Sequence, residues 1–152
     1  MDDDSLVVLR CSTIVFRDDA VLLVHRPARG DWVLPGGRPR PHEGVLACAR
    51  REIREETGLE VDPGRCAFVL DAIDPSGHHR TVEVVFLSPD RPTARPAGSE
   101  PDREPTFVSL SRLGELAMHP PLAGHLRALH GHRDRTVPYL GNMWRPPHGA
   151  SS

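Results

Sequence analysis

No apolar run in this sequence approaches the ~20 residues that a bilayer-spanning helix requires, so no segment reads as a membrane span. A dominant charge is missing too: 19 basic residues against 21 acidic ones leave a formal net charge of −2. Such a chain exerts no general attraction on nucleic acid, and none is expected as a partner. Cysteine is sparse. Cys11, Cys48 and Cys66 are odd in number and widely spaced, which supplies neither a disulfide framework nor a zinc site; free, buried thiols are the expectation. A secretory start is also lacking, because Met1-Asp2-Asp3-Asp4 is acidic where such a signal begins with basic residues. Together these absences give a cytoplasmic location as the expectation.

What is present is enough patterned sequence for one core: 152 residues, 38% hydrophobic and 26% charged, fall in the range of ordinary globular domains. Residues 1–135 are expected to form that domain and 136–152 a partly ordered C-terminal tail. Arginine dominates the basic residues and there are 16 prolines, a bias that would suit a GC-rich genome as well as any function.

Val7 to Phe16, rich in β-branched residues, predicts a strand, and Ala20 to His25 a second one after the polar turn Arg17-Asp18-Asp19. Trp32 to Leu34 is a short extended piece stopped by Pro35-Gly36-Gly37. Two prolines keep Arg38 to His42 out of any helix interior. From Glu43 or Gly44 to Thr57 the pattern turns helical, with Gly58 placed to end it. Cys66 to Ala72 and Thr81 to Ser88 predict two strands joined by Asp74-Pro75-Ser76-Gly77. Pro89 to Pro105, with five prolines, reads as a long surface loop. Phe107 to Leu110 suggests a last strand, Ser111 to Leu116 a short helix with Ser111 as its cap, and Leu122 to Leu129 a final helix. Strands before and after one strong helix argue for an α+β fold or a mixed-sheet α/β/α sandwich.

The helix carries the chemistry. At the α-helical period, Glu52, Glu55 and Glu56 fall within an arc of about 100°, while Leu46, Ala49 and Ile53 form an adjoining apolar stripe that can pack on a sheet. Glu52 and Glu56 are an i,i+4 pair of like charges, which costs about a few tenths of a kcal/mol. They also lie near the helix C-terminus, where the macrodipole disfavours negative charge. Stability does not explain that placement; binding of a hard divalent cation does, because Mg²⁺ takes oxygen ligands. The plainer alternative is a solvated acidic face balanced by Arg50, Arg51 and Arg54. The preceding Gly36-Gly37 gives the backbone access to positive φ and to close approach by a ligand.

Gly37, five residues, Glu43, seven residues, then Arg51-Glu52-Ile53-Arg54-Glu55-Glu56-Thr57-Gly58-Leu59 resembles the Nudix box at every defining position. The resemblance implies a Nudix fold, with a mixed sheet and a loop–helix–loop site, and a hydrolase that takes Mg²⁺ (or Mn²⁺). It makes Glu52, Glu55 and Glu56 the principal metal ligands, with the Gly37 carbonyl as a further oxygen. Arg51 is implied to orient a helix glutamate and Glu43 to support the loop or the outer metal waters. Glu52 is a candidate general base. The family also uses carboxylates outside the box, for which Glu104 is the first candidate here, ahead of Glu100 and Glu83. Arg40 stands where an acidic residue is common and Val45 where a small polar cap is usual, neither being a defining position. Arg38 and Arg40 either reach a substrate phosphate or solvate the loop.

The reaction so implied is cleavage of the diphosphate linkage in a nucleoside diphosphate derivative, ADP-ribose or a nucleotide sugar. Two alternatives stand beside it: a (deoxy)nucleoside triphosphate pyrophosphohydrolase, and a non-catalytic regulator that binds a nucleotide metabolite. Pro75 lies near a proline carried by ADP-ribose-cleaving members, though Asp-Pro-Ser-Gly is also an ordinary turn. Trp32, Phe68 and Phe107 are expected in the core. Tyr139 and Trp144 are expected either to cover the site or to pack on a second subunit, which would make a homodimer. His125, His130 and His132 lack ligand spacing.

Overall fold

The alternation of apolar residues over residues 6–26 produces, in a computed structural model of the chain, strands that belong to two different sheets. Residues 5–98, 100–135 and 138–146 are described; the acidic start Met1–Asp4 and, from the expected tail, residues 136–137 and 147–152 lie outside the described residues. The segment expected as one strand divides into β1 (Leu6–Ile14) and β2 (Phe16–Arg17). At Val15 the chain changes sheets, and the Val15 carbonyl accepts the Leu22 N–H at 3.0 Å. β2 turns through Asp18-Asp19 into β3 (Ala20–Arg26), giving the expected hairpin, and β4 (Asp31–Val33) and β5 (Gly36–Gly37) follow. After helix α1 (Val45–Thr57) come β6 (Arg65–Ile73), β7 (His79–Leu87) and β8 (Glu104–Ser109). A 3-10 segment (Leu110–Glu115), α2 (Ala123–Gly131) and β9 (Tyr139–Asn142) complete the order.

One sheet is five-stranded and mixed, in the order β5-β1-β7-β6-β9. β1 runs parallel to β7 and β6 parallel to β9, whereas β5–β1 and β7–β6 are antiparallel. The four-stranded sheet centres on β3, which pairs with β2, β4 and β8. Because side chains alternate along a strand, Ile14, Val21 and Leu23 enter one core with Leu126 and Leu129 of α2, while Val15 and Leu22 enter another with Ile53 of α1, Leu59 and Val61. The two helices therefore cover opposite faces of the strands, and α1 packs on β1 and β5. This is the expected mixed-sheet α+β architecture. No helix among the described residues is long and apolar enough to cross a membrane.

Several expectations need correction. Leu46 is 39% exposed: it shares the face of Ile53 but lies two turns nearer the N-terminus of α1, and only Ala49 and Ile53 of the expected stripe are buried. Cys66 is exposed, whereas Cys11 and Cys48 are buried as expected. The expected loop to Pro105 ends earlier, since β8 begins at Glu104 and pairs Pro105 with Val24. β8 pairs only with β3, so it is an edge strand, where a proline costs no ladder bond. Ser109, not Ser111, precedes the 3-10 segment, without a side-chain capping bond.

Candidate active site

The site begins with two glycines: a side chain at Gly36 would meet the β1 backbone, and one at Gly37 would displace the Glu52 carboxylate. β5 is pressed between β1 and α1, with Gly37 opposite Cys11 and Gly36 opposite Ser12. A Cβ at Gly36 would stand 2.4 Å from the Cys11 carbonyl oxygen, and one at Gly37 2.5 Å from the Glu52 carboxyl carbon. Close approach, not positive φ, is the reason for both: among the described residues the left-handed glycines are Gly30, Gly58, Gly64, Gly77 and Gly141. Gly58 ends α1 as its pattern predicts, with φ 71° and its N–H on the Arg54 carbonyl at 2.9 Å. Thr57 seals the same end by donating its hydroxyl to the Ile53 carbonyl and accepting the Leu59 N–H.

Arg51 organises the acidic side chains. Its Nε and Nη2 each donate to Glu43 at 2.8 Å, a two-pronged pair. Nη1 donates to Glu52 at 2.9 Å and Glu55 at 3.1 Å, and Nη2 reaches the Arg38 carbonyl at 3.2 Å. Four oxygens from three glutamates and one loop carbonyl thus meet a single guanidinium that is 9% exposed. The bond to Arg51, assisted by the Arg40 backbone N–H, holds the Glu43 carboxyl down at about 2. The same contacts, with Glu43 first, raise Arg51 above its ordinary value. Like charges that would otherwise repel are fixed in one arrangement.

Glu56 differs from its neighbours. Its residue is 2% exposed, it accepts the Gly36 N–H at 2.9 Å, and its nearest cation is Arg103 Nη1 at 3.4 Å. Burial pushes its carboxyl up to about 7, against the pull of Arg10, the Gly36 N–H and Arg103. This has a consequence for the metal-free chain. The folded state holds the Glu56 proton more tightly than an unfolded chain with the ordinary value of 4.5. Its contribution to stability is therefore full below about 4.5 and lost as the pH rises through about 7, a change on the order of 3 kcal/mol. Glu56→Gln should flatten the thermal midpoint of chelator-treated protein between about pH 5 and pH 8; an unaltered pH slope in that variant would refute the assignment.

A cleft of about 460 Å³ opens beside these groups. Gly36, Gly37, Glu52 and Glu56 form one side, and Arg10, Arg26, Arg29, Arg38 and Arg103 bring positive charge. Glu83, Glu100 and His119 also line it. Glu83 is 3% exposed, accepts the Ser12 hydroxyl at 2.6 Å and lies 3.8 Å from Arg10. Of the expected residues, the structure brings Gly37, Arg38, Glu52 and Glu56 to the cleft. Glu55 is turned to Arg51 and to Arg40, at 3.3 Å, and Arg40 does not line the cleft. Nor does Glu104, which sits on β8 with its carboxylate 3.4 Å from His25 Nδ1. The Gly37 carbonyl accepts the Cys48 thiol at 3.6 Å, and burial pushes that thiol up to about 12, so Cys48 is a packing residue. Pro75 lies in the β6–β7 turn closed by Gly77 N–H on the Asp74 carbonyl. Among the described residues, no three His, Cys, Asp or Glu side chains converge closely enough to hold a metal ion as placed.

Arg10 and Arg103 escaped the sequence reading as cleft residues, whereas Glu83 and Glu100, the lesser of the outside carboxylate candidates, do line the cleft. A signal existed for Arg10, the one charged residue of the strand LVVLRCSTI. Arg103 has none, since charged residues are ordinary in a loop.

A family model described as NUDIX domain matches residues 8–129. The human 8-oxo-dGDP phosphatase NUDT18 is 31% identical over 110 residues, covering 70% of this chain and 32% of that protein. The ADP-ribose pyrophosphatase of Methanocaldococcus jannaschii is 33% identical over 109 residues, covering 68% of this chain and 63% of its own length. The chain thus spans less than two thirds of either relative. Among solved structures, a MutT NUDIX hydrolase from Burkholderia pseudomallei superposes with a TM-score of 0.61 at 30% identity, covering 70% of this chain and 86% of that one.

Proposed function

Because this chain belongs to the Nudix family, we propose that it is a magnesium-dependent hydrolase that cleaves the diphosphate linkage of a nucleoside diphosphate derivative. The observation that carries the proposal is the meeting of Glu52 and Glu56 with the Gly36-Gly37 strand in a cleft otherwise rich in arginine. The named activities of the relatives lean the same way, since 8-oxo-dGDP and ADP-ribose both contain a nucleoside diphosphate.

The donor set suits Mg²⁺ or Mn²⁺. Carboxylate oxygens are hard ligands, and Glu56 is a buried carboxyl whose charge a cation would offset better than one guanidinium at 3.4 Å. Glu52 and Glu56, one helical turn apart, are the groups that would hold it, with Glu55, were it to leave Arg51, and the Gly37 carbonyl as further oxygen donors. When bound, a divalent cation supplies charge neutralisation for the diphosphate and acidifies water. The chain's own residues do the rest. Arg51 fixes the Glu52 carboxylate so that little reorganisation is needed. Arg38 and Arg29, both exposed, are positioned to bind phosphate oxygens, whereas Arg26 is held by Asp31 at 2.6–2.7 Å. Water attacks phosphorus in line, the bridging P–O bond breaks, and a carboxylate takes the water's proton. Glu52 is one candidate for that base; Glu100, which lines the cleft, is better placed than Glu104.

The test is a panel of nucleotide substrates with product identification. Nucleoside monophosphate plus a sugar phosphate is the expected result, abolished by EDTA and restored by Mg²⁺ or Mn²⁺. Release of pyrophosphate would instead identify a triphosphate pyrophosphohydrolase. Binding without cation-dependent turnover of any substrate would overturn the enzymatic reading in favour of a nucleotide-binding regulator.

A further inference from the structure

The segment between β7 and β8 is fastened to the far end of α1. The Ala97 N–H bonds the Thr57 carbonyl at 2.8 Å. Gly98 lies so close that a Cβ there would stand 3.0 Å from the Glu56 carbonyl oxygen. Farther back, Arg17 Nη1 donates to the carbonyls of Ala94 at 3.1 Å and Pro92 at 3.3 Å. Residues 92–98 are thereby anchored, and the turn after them delivers Arg103 to the cleft. There the Arg103 side chain meets two carboxylates of the described residues: Glu56 through Nη1 at 3.4 Å and Glu100 through Nε at 3.1 Å.

Arg10, the other arginine near Glu56, is fixed by different means. It projects from the middle of β1, donates to the Leu34 carbonyl at 2.6 Å and faces Glu83 at 3.8 Å. Neither of these partners is Glu56, so a cation held there would take no contact from Arg10. It would take one from Arg103, because a cation held by Glu56 would repel a guanidinium 3.4 Å from the same carboxylate, and in a desolvated site that repulsion is poorly screened. The nearest new partner for a displaced Arg103 is whatever anion shares the cleft.

We propose that Arg103 occupies the cation's place beside Glu56 in the metal-free cleft and, once displaced, binds a phosphate oxygen of the substrate. The proposal rests on the reading of this cleft as a cation-dependent hydrolase site. It makes Arg103 both competitor of the cation and contact of the substrate, so its removal acts on the two ligands with opposite sign. A merely structural arginine would weaken both.

The full chain, stripped of metal, is titrated with Mn²⁺ by calorimetry, and then with a non-hydrolysable methylene-bridged nucleoside diphosphate at saturating Mn²⁺. For Arg103→Gln the expected result is Mn²⁺ binding about tenfold tighter and analogue binding about tenfold weaker, an ordinary size for coupled binding. Arg103→Lys, which keeps the charge, should stay near the parent in the first titration. Unchanged Mn²⁺ affinity in Arg103→Gln, or a change of the same sign for both ligands, overturns the proposal while leaving the hydrolase reading standing. Failure of the parent chain to bind Mn²⁺ at all overturns both.

Discussion

Glu56→Gln is expected to lower turnover on the order of a thousandfold at saturating Mg²⁺ without loss of the fold. Gln has the shape of Glu, and its carbonyl oxygen can still accept the Gly36 N–H that Glu56 accepts at 2.9 Å. What disappears is a negative charge inside a cleft where water screens little, and with it the strongest reason for a cation to reside there. The metal-free variant should be no less stable than the parent above pH 7, because the ionised carboxylate is the form that burial penalises. Loss of activity without loss of stability separates this residue from ordinary core positions. Glu55→Gln should also lower turnover by orders of magnitude if Glu55 leaves Arg51 and Arg40 for the cation. Near-normal kcat in Glu56→Gln with its circular dichroism unchanged would sink the assignment of the cleft.

The box was legible because its chemistry is local. Gly37, Glu43, Arg51, Glu52 and Glu56 lie within one loop and one helix, and fixed spacing on a helix fixes direction in space. The arginine wall of the cleft was not legible, nor the order of preference among Glu83, Glu100 and Glu104, because Arg10, Glu83 and Glu100 reach the cleft only through the pairing of β1 with β7 and the return of the chain before β8. Glu104 failed to reach it for a related reason. Strand pairing begins at that residue, opposite His25, so its side chain is committed to the surface of the second sheet while Glu100 remains in the loop that faces the cleft. Local pattern also found β3, β4, β6, β7 and β8, but neither β5 nor β9, the two edges of the five-stranded sheet, nor where the first strand breaks. That break at Val15 is set by which neighbour each half pairs with, β7 or β3, a nonlocal choice that β-propensity does not encode. Gly36 and Gly37 were legible as positions of close approach, but what approaches them is the chain itself, β1 at Gly36 and the Glu52 carboxylate at Gly37, and neither has a positive φ.

Arg51→Ala should damage stability and catalysis together, which distinguishes it from Glu56→Gln. The substitution leaves Glu43, Glu52 and Glu55 close to one another with their shared cation gone. Breaking a paired, desolvated charge costs about 3–5 kcal/mol when the partners are fully buried. Solvent reaches Glu43 and especially Glu55, 40% exposed, so about 2 kcal/mol is the expected loss. Turnover should fall about a hundredfold, since Glu52 is then free to turn away from the position in which it is needed. Arg51→Lys should rescue little of either. One ammonium carries three donors, and it cannot reproduce the two-pronged bond to Glu43 while reaching Glu52, Glu55 and the Arg38 carbonyl. Added Mg²⁺ should restore part of the stability of Arg51→Ala, by neutralising Glu52, without restoring turnover. Thermal melts with and without Mg²⁺, set beside kcat, decide the matter: full activity in Arg51→Lys would mean that charge alone, and not the fixed geometry of the guanidinium, keeps the glutamates in place.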